Sequence, residues 1–220
     1  MPEACRYGVL GMVQLIWYTL LRTIIQGLYV TLVAGRAYHR ERVPRSGGLL
    51  VVCNHQSYLD PILAASPICR PFNPMARDSL FRNPAFSWLI RSVYAFPVKR
   101  GSADLGAIRE AIRRLRDGRI VLVFPEGTRT RDGSISRLHS GMIVIAQRAR
   151  VPILPMVVDG AFEAWPRKQL LPSIHPIRII YGRPIPFEEV EDAEPEAMAE
   201  RLHGDMVALQ KEVRGRNGEL

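Results

Sequence analysis

The chain has 220 residues, 47% of them hydrophobic and 23% charged, with a formal net charge of +9. That length supports one domain with a real core plus a short appendage, and that balance excludes an intrinsically disordered chain. The charge implies an anionic partner, whether nucleic acid, an anionic lipid surface or a phosphorylated substrate. An arginine-biased genome would give the same excess, since Lys99, Lys168 and Lys211 are the only lysines. The three cysteines, Cys5, Cys53 and Cys69, form no C-x-x-C pair. This argues against a metal site or a disulfide framework and fits a reducing compartment.

Residues 7–34 are the most apolar long stretch, interrupted by glycines and by Gln14, Arg22 and Gln26, which share one helical face. No small-residue cleavage site follows a short apolar core, so a secretory signal fits poorly. The length would allow a spanning helix, but Arg22 in its middle makes spanning costly. The expectation is a monotopic helix lying in the interface, broken near Gly27, with its polar face at headgroup level. A soluble helix packed on the domain is the alternative. Arg36, His39, Arg40, Arg42 and Arg45 follow and suit an anionic cytoplasmic leaflet. The anchor is therefore assigned to residues 1–43 and the folded domain to 44–220.

Gly48 to Cys53 reads as a buried strand, and strands are also expected at Arg70–Arg77, Val93–Val98, Ile120–Phe124, Val151–Val158 and Ile177–Tyr181. Between them lie helical patterns. The pattern over Leu80–Ile90 turns Phe81, Ala85, Trp88 and Leu89 inward and starts late or kinks at Pro84. The next is capped by Ser102 or Asp104, with Leu105, Ile108, Ile112 and Leu115 inward and Arg109, Arg113, Arg114 and Arg116 on a solvated face. Gly141–Arg148 follows, and a last helix buries Met198, Leu202, Met206, Leu209 and Val213. Alternating strands and helices predict an α/β fold: a mixed, largely parallel sheet flanked by helices, with an N-terminal membrane-associated helical segment.

Asn54-His55-Gln56-Ser57-Tyr58-Leu59-Asp60 leaves the first of these strands, and Pro61 opens a helix. Open α/β sheets hold their ligand sites at such strand ends. In a continuous helix His55 and Asp60 would face ~140° apart, so only a turn lets them meet. A carboxylate could then fix the imidazole tautomer and leave the other nitrogen to take a proton. Asp60 as a helix N-cap before Pro61 is the competing reading. Glu126-Gly127-Thr128-Arg129 leaves a second strand. A glycine there lets backbone N–H groups approach an oxyanion, Thr128 adds a hydroxyl and Arg129 a planar fork suited to phosphate. Lys99-Arg100 leaves a third strand and would add charge to the same pocket.

Together these segments resemble the glycerolipid acyltransferase family that contains the 1-acylglycerol-3-phosphate acyltransferases. The resemblance rests on four ordered blocks: Asn54 to Asp60, Phe96-Pro97-Val98-Lys99-Arg100, Phe124-Pro125-Glu126-Gly127-Thr128-Arg129 and Val151-Pro152-Ile153-Leu154-Pro155. It covers roughly residues 48–160. One departure is Leu138-His139-Ser140-Gly141, where members often carry a Phe-Lys-x-Gly-like stretch.

The resemblance implies transfer of an acyl chain from acyl-CoA or acyl-carrier protein to the sn-2 hydroxyl of 1-acylglycerol 3-phosphate (lysophosphatidic acid). It implies no cofactor and no metal. In those roles His55 is the general base and Asp60 its orienter. Arg129 and Arg100, helped by Lys99 and Thr128, hold the acceptor phosphate, while Glu126 and Gly127 position the glycerol. Expected partners are a phospholipid surface, lysophosphatidic acid and the thioester donor, without nucleic acid. Other acceptors (glycerol 3-phosphate, a lysophospholipid or a lyso-aminolipid) fit the same blocks. A non-catalytic basic membrane- or nucleic-acid-binding protein would account for the charge but not for the His55–Asp60 turn.

Overall fold

Hydrophobic runs become strands and amphipathic runs become helices in a computed structural model that describes residues 9–99, 104–166, 169, 171 and 173–216. In chain order these are α1 (Val9–Leu32), β1 (Arg36–Tyr38), β2 (Leu49–Cys53), α2 (Asp60–Ala65), β3 (Phe72–Arg77), α3 (Pro84–Ser92), β4 (Phe96–Val98), α4 (Leu105–Arg116), β5 (Ile120–Val123), α5 (Gly141–Ala149), β6 (Ile153–Asp159), α6 (Ala161–Ala164), β7 (Arg178–Tyr181), α7 (Phe187–Val190) and α8 (Pro195–Gly215). The strands form one sheet in the order β1-β7-β6-β2-β5-β3-β4. Every neighbouring pair is parallel except β6 with β7. This is the mixed, largely parallel α/β sheet expected.

The order explains where a site can form. β2 and β5 are adjacent, and the chain leaving β2 enters α2 in one core while the chain leaving β5 enters α5 in the other. The two loops therefore part to opposite faces of the sheet and leave a crevice at the carboxyl ends of the two strands. Helices cover both faces, so β2 is apolar throughout rather than alternating. Leu50 and Val52 join a core with Ala111, Leu115, Ile143, Ala146, Leu202 and Met206. Leu49, Val51 and Cys53 join the opposite core with Tyr29, Leu63 and Ala161.

Two features set the register of β2 against β5, which pairs Leu49 with Ile120. A Cβ on Gly48 would strike the Leu115 carbonyl oxygen, so α4 approaches the start of β2 only because that position is glycine. The buried Arg70 guanidinium donates to the carbonyls of Pro44 (2.6 Å) and Gly47 (2.6 Å) before β2, and of Gly118 (2.9 Å) before β5. One side chain thus ties the entrances of both strands.

Several expectations change. α3 does begin at Pro84, capped by Asn83, but Trp88 is 66% exposed, and Phe86 and Leu89 are exposed beside it. In α4 the buried stripe is Ala107, Ala111 and Leu115, while Leu105 is exposed. Arg114 is not on a solvated face: it donates to Asn73 Oδ1 and the Tyr94 carbonyl and stacks on Phe96. Residues 36–38, grouped by sequence with the anchor, are an edge strand of the sheet. Arg40 and Arg42 of the basic cluster donate to the carbonyls of Pro67 and Tyr181 rather than pointing away from the domain.

α1 runs unbroken through Gly27, and its polar face is turned inward. Gln14 donates to the carbonyls of Arg91 and Ser92, Trp17 to Ser92 Oγ and Arg22 to the Ser66 carbonyl. The Tyr29 hydroxyl meets the carbonyls of Arg36 and Ile177. The carbonyl ends of α2 and α3 attract these donors more strongly than solvent would, because the last carbonyls of a helix lack partners. What remains outside is apolar: Ile16, Leu20, Ile24 and Leu28 are each half exposed or more.

Replacing Arg70 by Met should lower the unfolding free energy by about 1–3 kcal/mol, since three partly buried carbonyls lose a charged donor. Urea denaturation should show a lower midpoint with an unchanged slope. An unaltered midpoint would mean that Arg70 does not carry the β2–β5 register.

Candidate active site

The turn that sequence reasoning requires between His55 and Asp60 is built by the Asp60 carboxylate itself. Its Oδ2 accepts from the backbone N–H of Gln56 (2.6 Å) and Ser57 (2.8 Å), and from His55 Nδ1 (2.7 Å). The Ser57 hydroxyl accepts from the Leu59 N–H at 2.9 Å and closes the same turn. Asp60 is the first residue of α2 and Leu59 occupies the cap position. The carboxylate thus faces back into the loop instead of capping the helix, and the capping alternative is set aside. A carboxylate only accepts, so Nδ1 carries the hydrogen and Nε2 keeps its lone pair.

His55 is held on every side. Its N–H donates to Glu126 Oε1 (2.7 Å), its carbonyl accepts from the Thr130 N–H (2.8 Å), and Phe124 stacks on the imidazole at 4.4 Å. These contacts come from the loop after β5, across the crevice. Asn54 does for β2 what a further strand residue would do: its side chain exchanges two hydrogen bonds with the backbone of Val158 on β6. Gln56 reaches the Phe162 N–H and the Gly133 carbonyl. Sequence reasoning assigned neither residue a task. Their signal was faint: polar side chains continuing a buried apolar run need partners.

The loop after β5 supplies the next residues. Glu126 is buried; one oxygen accepts from His55 N–H and the other from Ser136 N–H at 2.9 Å. It braces two loops, and each oxygen keeps a further lone pair. Gly127 has φ +70°, and its N–H donates to the Phe124 carbonyl, so that N–H is not presented to an oxyanion. A Cβ at Gly127 would lie 3.4 Å from His139 Nε2, which places His139 against the site. Thr128 is exposed at the rim. Arg129 lies over the Tyr58 ring, 3.5 Å from its centroid, and its Nη1 is buried with no hydrogen-bond partner among the described residues.

Lys99 follows β4, which lies three strands from β2, roughly 14 Å at ~4.8 Å per strand, while Val98 before it lines a cavity with Phe124 and Gly127. Lys99 is exposed, and its N–H donates to Asp104 Oδ2. Arg100 falls outside the described residues. Two largely apolar cavities flank the loops. One of about 350 Å³ lies beside Pro61, Ile62 and Phe72 beneath α1, and another of about 310 Å³ adjoins Phe124, Gly127 and His139. Among the described residues no group of three or more His, Cys, Asp or Glu side chains is placed to hold a metal ion.

The arrangement is that of an oriented imidazole and, over the Tyr58 ring of the same turn, a guanidinium with no ion pair among the described residues, flanked by apolar cavities. The acyltransferase family model matches residues 36–159, which take in both loops. The chain belongs to the acyltransferase family. It is similar to the 1-acyl-sn-glycerol-3-phosphate acyltransferase of Bacillus subtilis (strain 168), at 28% identity over 176 residues, 76% of this chain and 85% of that protein. It is also 27% identical over 205 residues to the enzyme of that name from Streptococcus pneumoniae, covering 90% of this chain and 75% of the other. The crystal structure of the 1-acyl-sn-glycerophosphate acyltransferase PlsC from Thermotoga maritima shares the fold, with a TM-score of 0.81 at 22% identity over 98% of this chain and 85% of that one. This acyltransferase therefore carries its chemistry on a sheet whose crevice lies between β2 and β5.

Burial raises the Asp60 carboxyl above its ordinary value of 3.8, opposed by the His55 hydrogen bond and charge and by the N–H groups of Ser57 and Gln56. Its Oδ1 is buried with no partner among the described residues. Burial also raises Glu126. A carboxyl whose folded pKa lies above its unfolded one binds its proton more tightly when folded. Its contribution to stability is full below the unfolded value and is lost as pH rises through the folded one. Asp60→Asn, neutral throughout, escapes that loss, while Glu126 titrates in both proteins. In urea titrations, the stability of Asp60→Asn relative to wild type should therefore grow as pH climbs from the ordinary carboxyl value of 3.8 upward. A difference constant with pH would show that Asp60 titrates alike folded and unfolded.

Proposed function

We propose that this acyltransferase moves an acyl chain from a thioester, acyl-CoA or acyl-carrier protein, to the sn-2 hydroxyl of 1-acylglycerol 3-phosphate. The observation that carries the chemistry is the 2.7 Å bond from His55 Nδ1 to a fully buried carboxylate. His55 Nε2 takes the proton of the acceptor hydroxyl as its oxygen attacks the thioester carbonyl carbon. Asp60 steadies the imidazolium so formed. Collapse of the tetrahedral intermediate breaks the C–S bond, and Nε2–H returns the proton to the leaving thiolate. The acceptor attacks directly, so no protein nucleophile is needed. Arg129, stacked on Tyr58 and without an ion pair among the described residues, is suited to the acceptor phosphate. The names of the relatives support that acceptor, and the flanking cavities suit hydrocarbon tails.

The test is conversion of lysophosphatidic acid to phosphatidic acid by the purified protein with an acyl thioester, beside glycerol 3-phosphate and phosphate-free acceptors. His55→Ala should lose about 10²–10⁴-fold in turnover while its circular dichroism stays native. A folded His55→Ala enzyme with near-normal turnover would remove the base assignment. Acylation of another acceptor in preference would remove the lysophosphatidic acid reading.

We also place the enzyme in the membrane interface, on the cytoplasmic face, with α1 lying flat. α1 is long and apolar enough to cross a bilayer by length and composition. Its inner face, however, is tied to the domain from Gln14 to Tyr29, so it could not cross without drawing the domain in with it. Its outer face is apolar, the hydroxyls of Thr19, Thr23 and Thr31 are satisfied by carbonyls four residues back, and Trp88 of α3 continues the surface beside Trp17. The exposed Arg36 and Arg45 beyond it suit anionic headgroups. Because Tyr18 and Tyr29 of α1 are core residues, deletion is the wrong test. Exchange of Ile16, Leu20, Ile24 and Leu28 for Gln should release the folded protein from anionic vesicles in flotation. Full retention would refute attachment through this face.

A further inference from the structure

We propose that Tyr58 is a positioning residue that sets the specificity for a phosphomonoester acceptor, by holding Arg129 without consuming its hydrogen-bond donors. The proposal rests on the acceptor reading above. A guanidinium offers two kinds of surface: its flat face stacks on aromatic rings, and its edge carries five N–H donors. A carboxylate partner would fix Arg129 but would occupy that edge and cancel its charge. The Tyr58 ring fixes it through the face alone, with Cζ 3.5 Å from the ring centroid. Among the described residues Arg129 has no ion pair, and its Nη1 is buried without a hydrogen-bond partner. A buried N–H without an acceptor costs stability, which fits a group kept ready for a ligand oxygen.

The ring is itself supported. Trp165 lies 5.6 Å from Tyr58 in a tilted contact, and its indole N–H donates to the Gln169 carbonyl at 3.0 Å. Tyr58 is nonetheless 54% exposed, so core packing does not account for an aromatic residue there. Its place in the chain matters most. Tyr58 stands between Ser57, whose N–H binds Asp60, and Leu59, whose N–H binds the Ser57 hydroxyl. The turn that orients His55 therefore also carries the platform for Arg129. The separation between the phosphate fork and the base is set by one hydrogen-bonded turn rather than by two independent loops. An acceptor is favoured when its dianionic phosphate sits one glycerol carbon from the attacking hydroxyl. A lipid without that phosphate gains nothing from the fork.

The test uses full-length protein and glycerol 3-phosphate as the probe. Phenylglyoxal modification of Arg129, read by peptide mass spectrometry, should be slowed by glycerol 3-phosphate in the wild type. Tyr58→Leu should raise the half-protecting concentration about tenfold, whereas Tyr58→Phe, which keeps the ring face, should stay within about twofold. In turnover, Tyr58→Leu should raise KM for lysophosphatidic acid about tenfold, lower kcat by less than about threefold, and leave KM for a monoacylglycerol unmoved. Equal protection of wild type and Tyr58→Leu overturns the role of Tyr58. So does loss of protection in Tyr58→Phe to the same extent as in Tyr58→Leu. Absence of protection in the wild type overturns both this proposal and the phosphate role of Arg129. Protection that follows the ring, in an enzyme that does not acylate lysophosphatidic acid, supports the platform and refutes only the acceptor.

Discussion

A carboxylate taken fully out of water is the constraint on which the rest depends. Asp60 has zero exposure, and one of its oxygens gathers three donors from Gln56, Ser57 and His55 within a single turn. Burial of a charge is unfavourable unless hydrogen bonds compensate it, so the turn and the charge stabilise each other. Remove the charge and the two backbone N–H groups lose their strongest acceptor. Remove the turn and the carboxylate is stranded. The imidazole is the third member of this arrangement, and its tautomer follows from the other two.

Around that turn the sheet supplies rigidity from both sides. On one side Asn54 prolongs the pairing of β2 with β6, and on the other Glu126 and Thr130 pin the backbone of His55 to the loop after β5. Two N–H groups from separate loops converge on Glu126. A buried carboxylate used as a brace keeps polar backbone satisfied where two loops meet, which neither loop could do alone.

α1 shows the same economy on a larger scale. Its donors are spent on carbonyls at the ends of α2 and α3, and its apolar residues are left outward. An ordinary surface helix of a globular protein has the opposite orientation, with its polar residues outward.

Local patterns sufficed for what depends on neighbours along the chain. The apolar runs of β2, β5 and β6, the stripe of α8 from Met198 to Val213 and the late start of α3 at Pro84 all follow from spacing and residue type, while the His55–Asp60 turn stood beside an N-cap reading until the structure showed the Asp60 carboxylate facing back into the loop. The acyltransferase resemblance rested on the same local blocks. What spacing could not decide was competition between partners distant in sequence. Arg114 looked solvated because its partners, Asn73 and Tyr94, lie outside its helix. Trp88 and Leu89 looked buried because hydrophobicity does not say which apolar face meets the core. Gln14 and Arg22 looked like headgroup residues because the carbonyls they satisfy are 44 or more residues away. Strand order, which sets Lys99 and His55 three strands apart, is not written in any one segment. Each of these outcomes is a choice among distant hydrogen-bond and packing partners, and only the folded chain brings those partners within reach.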